Sequence, residues 1–181
     1  MASIPTDATA RVHPTHARCV RRTLTIGRPA LELHRLWLEP VAQQTVMAHL
    51  AEVSLDDQGH WQWKAHVPVA GELEWSSQVI EDLPGHRIVW QSLEGAELPN
   101  RGELVFHSAP ADWGTEVTLT WRFDPPGGKL GDLVAKWLHA PEVAVSLALR
   151  RFKSLAETGE VPSLAHNPAA RRDPDPYGAF E

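Results

Sequence analysis

Tryptophan is the residue type in this sequence whose number and spacing most suggest a binding site. The chain has eight tryptophans, against four phenylalanines and one tyrosine. Each indole offers a large apolar face and one N–H donor, so a group of tryptophans can line a pocket for an apolar, ring-containing molecule. The alternative is a packed core, which is the simpler explanation for any single tryptophan. What the tryptophans face therefore matters most for function.

The other reactive residue types form no recognised catalytic or metal-binding pattern. Ten histidines are present, but the sequence has no HExxH and no histidine pair at i, i+4 beside a carboxylate. No serine lies in a GxSxG sequence, and the single cysteine, Cys19, cannot form an internal disulfide or a cysteine-based zinc site. We therefore expect neither a metal nor an organic cofactor, and we assign no catalytic residue.

Three polar residues fall on otherwise apolar strand or helix faces. Arg22 is the strongest case, because a charge on a core-facing position is costly unless it is paired or points into a wet cavity. It could orient a ligand through a carboxylate, quinone or phenolate oxygen. The alternative is an ion pair or a side chain that reaches past the strand end to solvent. Ser92 and His49 are weaker cases.

Composition limits the classes of protein to consider. The chain has 181 residues, of which 43% are hydrophobic, enough for one packed core. A net charge of −6 disfavours nucleic-acid binding. The longest stretch without a charged residue, Pro40 to Ala51, is too short to span a bilayer. We expect a cytoplasmic protein, since no secretory signal is recognisable and the lone cysteine suits a reducing compartment.

The elements that must position the tryptophans follow from the hydrophobic period. We expect flexible tails at 1–17 and at the proline-rich 162–181, with one domain at 18–161. A strand over CVRRTLTI precedes two short helices, which Pro29 and Pro40 begin. The period is then two from about Met47 to Asp124, which predicts a six-stranded antiparallel meander. A long, amphipathic C-terminal helix follows, broken or kinked at Pro141.

The strand phases assign a side of the sheet to most of the aromatic residues. Val117, Leu119, Trp121 and Phe123 alternate with polar residues, so one face of that strand is apolar. The same rule puts Trp61, Trp63, Trp75 and Trp90 on the apolar side, together with Ser92 and Phe106. The C-terminal helix presents a stripe to this side that includes Leu133, Trp137 and Leu149.

Several stretches resemble the START-like superfamily, also called SRPBCC, and in particular its polyketide cyclase/dehydrase and coenzyme Q-binding-like branch. They are HWQWKAHVP, ELEWSSQVIEDLPGHRIVWQS, NRGELVFHSAP, GTEVTLTWRFDPPGG and LRRFKSLAETGEV. The resemblance covers about residues 18–162. It implies an α+β helix-grip fold, in which a curved seven-stranded antiparallel sheet surrounds a long C-terminal helix and leaves a deep apolar cavity.

Three functions are compatible with these features. The first is binding or carriage of a hydrophobic small molecule, such as a lipid, an isoprenoid quinone or a polyketide-like aromatic. The second is a cyclase or dehydrase acting in the same cavity without metal or cofactor, and the third is a protein-interaction module. Exposed sheet edges would also permit a homodimer. The predicted cavity residues are Arg22, Trp61, Trp63, Trp75, Trp90, Ser92, Phe106, Trp121, Phe123, Leu133, Trp137 and Leu149.

Overall fold

A single antiparallel sheet of seven strands forms the centre of the computed structural model, which describes residues 18–67, 71–124 and 141–162. The strand order is β1-β7-β6-β5-β4-β3-β2, so β2 to β7 form a meander and β1 pairs with β7. The predicted seven-stranded, curved α+β architecture is thereby confirmed. The strands are β1 (Arg18–Ile26), β2 (Glu52–Leu55), β3 (Trp61–Val67), β4 (Gly71–Leu83), β5 (Arg87–Ser92), β6 (Asn100–Ser108) and β7 (Thr115–Phe123).

Three helices are found in the described part of the chain: α1 (Ala30–Trp37), α2 (Pro40–Met47) and α3 (Pro141–Thr158). The first two are the short helices predicted from Pro29 and Pro40, and Pro40 occupies the first turn of α2, where its missing N–H costs nothing. The predicted C-terminal helix is described from Pro141 onward. The part of this helix that was predicted before Pro141 lies outside the described residues. So do both predicted tails, except for residue 162, the first of the C-terminal tail.

The register of the sheet places all five strand tryptophans that were assigned to the apolar side on one face. Trp63 lies opposite Trp75, and Gly102 of β6 lies between Trp90 of β5 and Trp121 of β7. Residues directly opposite each other in an antiparallel pair project to the same side. Trp61 joins this face through its pairing with Ser77, which in turn lies opposite Ser92.

Helix α3 packs its apolar stripe on this face. Val145, Ala148, Leu149 and Phe152 belong to the same buried cluster as the strand residues Leu104 and Trp90. The helix therefore covers the concave side of the sheet, as a helix-grip fold requires.

Polar contacts fix the C-terminal end of α3 to the segment that follows β1. The Gly27 N–H donates to Glu157 Oε1 at 2.7 Å, and the Arg28 guanidinium donates to the carbonyls of Ala156 and Glu157. The Gly27 N–H, with the Lys153 ammonium beside it, holds the pKa of Glu157 below its ordinary value. The helix dipole adds to this arrangement, because Arg28 meets its negative end.

Candidate ligand-binding site

Two clefts lie between the concave face of the sheet and the helices. The first cleft opens beside the α1–α2 connection and holds about 310 Å³ of space between atoms, part of it open to solvent. It is lined by Trp37, Leu38, Gln43, Trp61, Trp63, Ser77, Val79, Ile88 and Trp90. Apart from the amide of Gln43 and the hydroxyl of Ser77, its wall is apolar and aromatic, as small-molecule sites usually are.

The second cleft lies between the sheet, the end of α2 and the first turns of α3. It holds about 420 Å³ of space between atoms, again partly open to solvent. Its described lining consists of Met47, Leu50, Trp63, Trp75, Trp90, Asn100, Leu119, Trp121, Ala144, Val145 and Ala148. Four indoles and one side-chain amide thus surround this space.

The tryptophans partly fill the space between the sheet and the helices and partly line it. Trp61, Trp75 and Trp90 are buried, whereas Trp63 and Trp121 are half-buried. Trp63 and Trp75 stack with their ring planes within 5° and their centroids 5.7 Å apart, so no ligand fits between them. The two rings therefore pack against each other as core residues do, and both also line the second cleft.

Polar groups in the wall are used to hold the indoles in place. The Trp63 indole N–H donates to Ser77 Oγ at 2.9 Å, and Ser77 is almost fully buried. The Trp121 indole N–H lies 3.5 Å from Asn100 Oδ1, a long contact, while Asn100 Nδ2 donates to the Leu98 carbonyl at 2.8 Å. Because the contact between Asn100 Oδ1 and Trp121 is long, this side-chain oxygen can accept a stronger hydrogen bond from a ligand hydroxyl.

His49 connects α2 to α3 at the edge of the second cleft. Its Nδ1 lies 3.1 Å from the Val46 carbonyl and its Nε2 lies 3.1 Å from the Ala144 carbonyl. Burial lowers the pKa of His49 below its ordinary 6.5, against the effect of the two carbonyls, and the Arg151 guanidinium contributes to the decrease. The folded protein therefore favours the neutral ring, which donates its one N–H to one of the two helices.

We expect acidification from about pH 7.5 to about pH 5.5 to lower the free energy of unfolding of the wild type more than that of His49→Gln. A lowered folded pKa means that His49 takes up its proton first in the unfolded state. Its contribution to stability is therefore present above pH 6.5 and decreases as the pH falls towards the folded pKa. Urea unfolding at several pH values measures this difference, and parallel pH profiles for the two proteins would contradict it.

Eleven of the twelve predicted cavity residues separate into three groups. Trp61, Trp63, Trp75, Trp90 and Trp121 line one or both clefts. Ser92, Phe106, Phe123 and Leu149 are absent from both described linings: the Ser92 hydroxyl accepts the Asn100 N–H, and the other three pack in the buried clusters. Leu133 and Trp137 lie outside the described residues.

Arg22 does not line either cleft in the described part of the chain. The register places it opposite Leu119, on the apolar side as its phase predicts. Its side chain is nevertheless exposed, and its guanidinium donates to the Arg21 carbonyl at 2.8 Å. The long side chain thus reaches solvent beside the strand, as arginine does when its stem lies on an apolar surface.

A buried histidine on α1 was not among the candidate residues predicted from the sequence. His34 is buried, its Nε2 lies 2.7 Å from Asp82 Oδ1, and its Nδ1 has no hydrogen-bond partner among the described residues. The register shift between Val79 and Glu81 puts Asp82 opposite Ile88, hence on the concave side towards α1. Strict alternation assigns Asp82 to the other side, so only the bulge brings the pair together.

Gln43 and Asn100 are two polar lining residues that were not among the predicted cavity residues. Both are buried, and the Gln43 amide donates to the Trp37 carbonyl at 2.6 Å. Asn100 begins β6 and Gln43 lies inside α2, so neither position stands out from the hydrophobic period. A polar residue among buried apolar neighbours is the only signal that could have identified Gln43.

Structures of known proteins share this fold, although no family model matches the chain and a comparison with curated proteins finds no match. A Deinococcus radiodurans protein is 31% identical, over 79% of this chain and 100% of its own, with a TM-score of 0.63. The Zhui aromatase/cyclase of Streptomyces sp. R1128 is 17% identical, over 81% of this chain and 100% of its own, with a TM-score of 0.58.

A further relative in fold is the di-domain aromatase/cyclase StfQ of the steffimycin biosynthetic pathway. It is 16% identical over 78% of this chain and 51% of its own, with a TM-score of 0.56. Within the part of the chain that the structure describes, no helix is long and apolar enough to cross a membrane. The helix-grip architecture and the full-length match to the Deinococcus protein agree with the resemblance seen in the sequence, and the chain belongs to the START-like, or SRPBCC, superfamily.

Proposed function

We propose that this protein binds a hydrophobic, ring-containing small molecule on the concave face of its sheet, in the second cleft. The observation that carries the proposal is the composition of the described wall, in which four indoles and aliphatic side chains surround the single amide of Asn100. Apolar contact supplies most of the affinity in such a site, and one polar group fixes orientation. An isoprenoid quinone or a polyketide-like aromatic has this combination of ring and oxygen, and a lipid offers the apolar part.

The test is a binding measurement supported by extraction. Organic extraction and mass spectrometry of the purified protein would reveal a co-purified molecule. The extracted protein is then titrated with phenylnaphthylamine, a neutral dye whose emission rises in apolar surroundings. We expect saturable binding, and we expect Trp121→Leu to weaken it about tenfold, which corresponds to about 1.4 kcal/mol of lost contact.

Trp113→Leu is the matched control, because it makes the same change at a tryptophan that lies in the β6–β7 loop and is 76% exposed. Its dye affinity should equal that of the wild type. Absence of both a co-purified molecule and a saturable dye signal would contradict the proposal. Equal loss in the two variants would place the dye elsewhere on the protein.

The same extracted protein also tests the alternative function, which is cyclase or dehydrase activity. Its support is the likeness in fold to two aromatase/cyclases. Holding a reactive chain in one conformation accelerates cyclisation even without a dedicated catalytic group. Incubation with a polyketide-like precursor, followed by chromatography and mass spectrometry, distinguishes the two functions. An isomer of equal mass or a product that has lost water, formed faster than without the protein, indicates catalysis, whereas unchanged precursor indicates binding alone.

A further inference from the structure

Two of the cleft tryptophans differ from the others in their position. Trp63 and Trp90 line both clefts, whereas Trp37 and Trp61 line only the first and Trp75 and Trp121 line only the second. The two clefts are therefore adjacent, and these two indoles stand between them.

The ring of Trp90 is held across β6 by the absence of a side chain at Gly102. Gly102 lies directly opposite Trp90 in the sheet, and a Cβ at Gly102 would overlap Cζ2 and Cε2 of the Trp90 indole. The Trp90 ring also meets Trp37, at a centroid distance of 5.9 Å. A glycine inside a strand often marks such a close approach. The Trp90 indole is thus held by the backbone at Gly102 and by the ring of Trp37.

Trp63 is held as firmly, by different contacts. Its ring stacks on Trp75, and its N–H is fixed by the buried hydroxyl of Ser77. A buried hydrogen bond and a stacked ring together restrict rotation of the side chain. Neither indole can move aside without losing contacts that the folded protein has already formed.

We propose that Trp63 and Trp90 form a partition that confines a bound molecule to one cleft, and that Trp90 thereby determines the maximum ligand length. This inference rests on the proposed function, since it concerns the same site. Binding improves with each buried methylene only while the chain finds apolar space. A ligand that fills the second cleft therefore gains nothing from a longer chain in the wild type, because the partition blocks its way into the first.

The test is a chain-length series of para-alkylphenols with propyl, hexyl and nonyl groups, measured by calorimetry. These neutral molecules carry a ring for the indoles and a hydroxyl for Asn100. For the wild type we expect affinity to level off within the series, at the chain length that fills the second cleft. For Trp90→Leu, which is designed to join the clefts, we expect affinity to continue rising, so that the nonyl compound binds at least tenfold more tightly than it does to the wild type.

Trp61→Leu is the matched control, because Trp61 is 7% exposed against 8% for Trp90, belongs to the same buried cluster, and lines only the first cleft. Its length profile should follow the wild type. If Trp90→Leu does not fold cooperatively, Trp90→Phe replaces it, with a smaller gain expected because a narrower ring still lies over Gly102.

The outcomes separate the partition from the proposed function. The partition is overturned if the Trp90 variant shows the same dependence of affinity on chain length as the wild type, or if Trp61→Leu shows an equal gain. In either case, dye binding by the wild type would still support the proposed function. Failure of every protein to bind both the dye and the phenols overturns the proposed function, and the partition falls with it.

Discussion

Gly114→Ala is expected to lower the free energy of unfolding by about 3 kcal/mol or more. Gly114 precedes β7 with a φ of +106°, a conformation that residues with a side chain rarely adopt. A Cβ there would overlap the Ile26 carbonyl oxygen and lie 2.8 Å from Gly27 Cα. These are backbone atoms at the end of β1, so they cannot rotate away as a side chain does.

Gly95→Ala separates this effect from simple backbone strain. Gly95 has a φ of +81°, but a methyl group there would have no atom within 4 Å beyond its chain neighbours, so only strain of about 1 kcal/mol applies. Urea unfolding of both variants measures the difference. Similar losses at the two positions would show that the close approach between β1 and the β6–β7 loop relaxes without cost.

Phe152→Ala is the second large effect, with an expected loss of about 3 to 5 kcal/mol. Phe152 is fully buried on α3, and its ring meets Trp37 edge to face at a centroid distance of 5.0 Å. Its removal leaves a cavity where α3, α1 and the sheet meet. The first cleft also depends on this contact, because Trp37 lines it.

Val143→Ala serves as the control on the same helix, since Val143 is 62% exposed. Its substitution should change the free energy of unfolding by less than about 0.5 kcal/mol. Chemical denaturation again provides the measurement. A small loss for Phe152→Ala would mean that α3 settles into the vacated space, so that the helix can pack on the sheet in more than one position.

The fold was predictable because its elements carry strong periodic signals. β7 alternates apolar and polar residues from Val117 to Phe123, which indicates both the strand and its inward face. Pro29 and Pro40 marked the starts of the two short helices. These signals are local, so they can be recognised in the sequence without knowledge of the neighbouring strands.

The site was less predictable because it depends on the direction of side chains and on one irregularity. Phase places Phe106 on the concave face, yet the His34 ring on α1 lies 5.7 Å from it and leaves no space for a ligand. Phase also cannot show that the Trp90 ring crosses β6 at Gly102. The bulge after Val79 reverses the alternation for Asp82, and no residue in that stretch announces it.

The hydrogen bond of Arg22 has a consequence for assembly. β1 is an edge strand of the sheet and exposes Arg18, Arg21 and Arg22, while the Arg22 guanidinium occupies a backbone acceptor of that same strand. A second copy pairing edge to edge along β1 would bring like charges together and would have to break this bond. Among the described residues, the arginines therefore disfavour strand-to-strand pairing along β1.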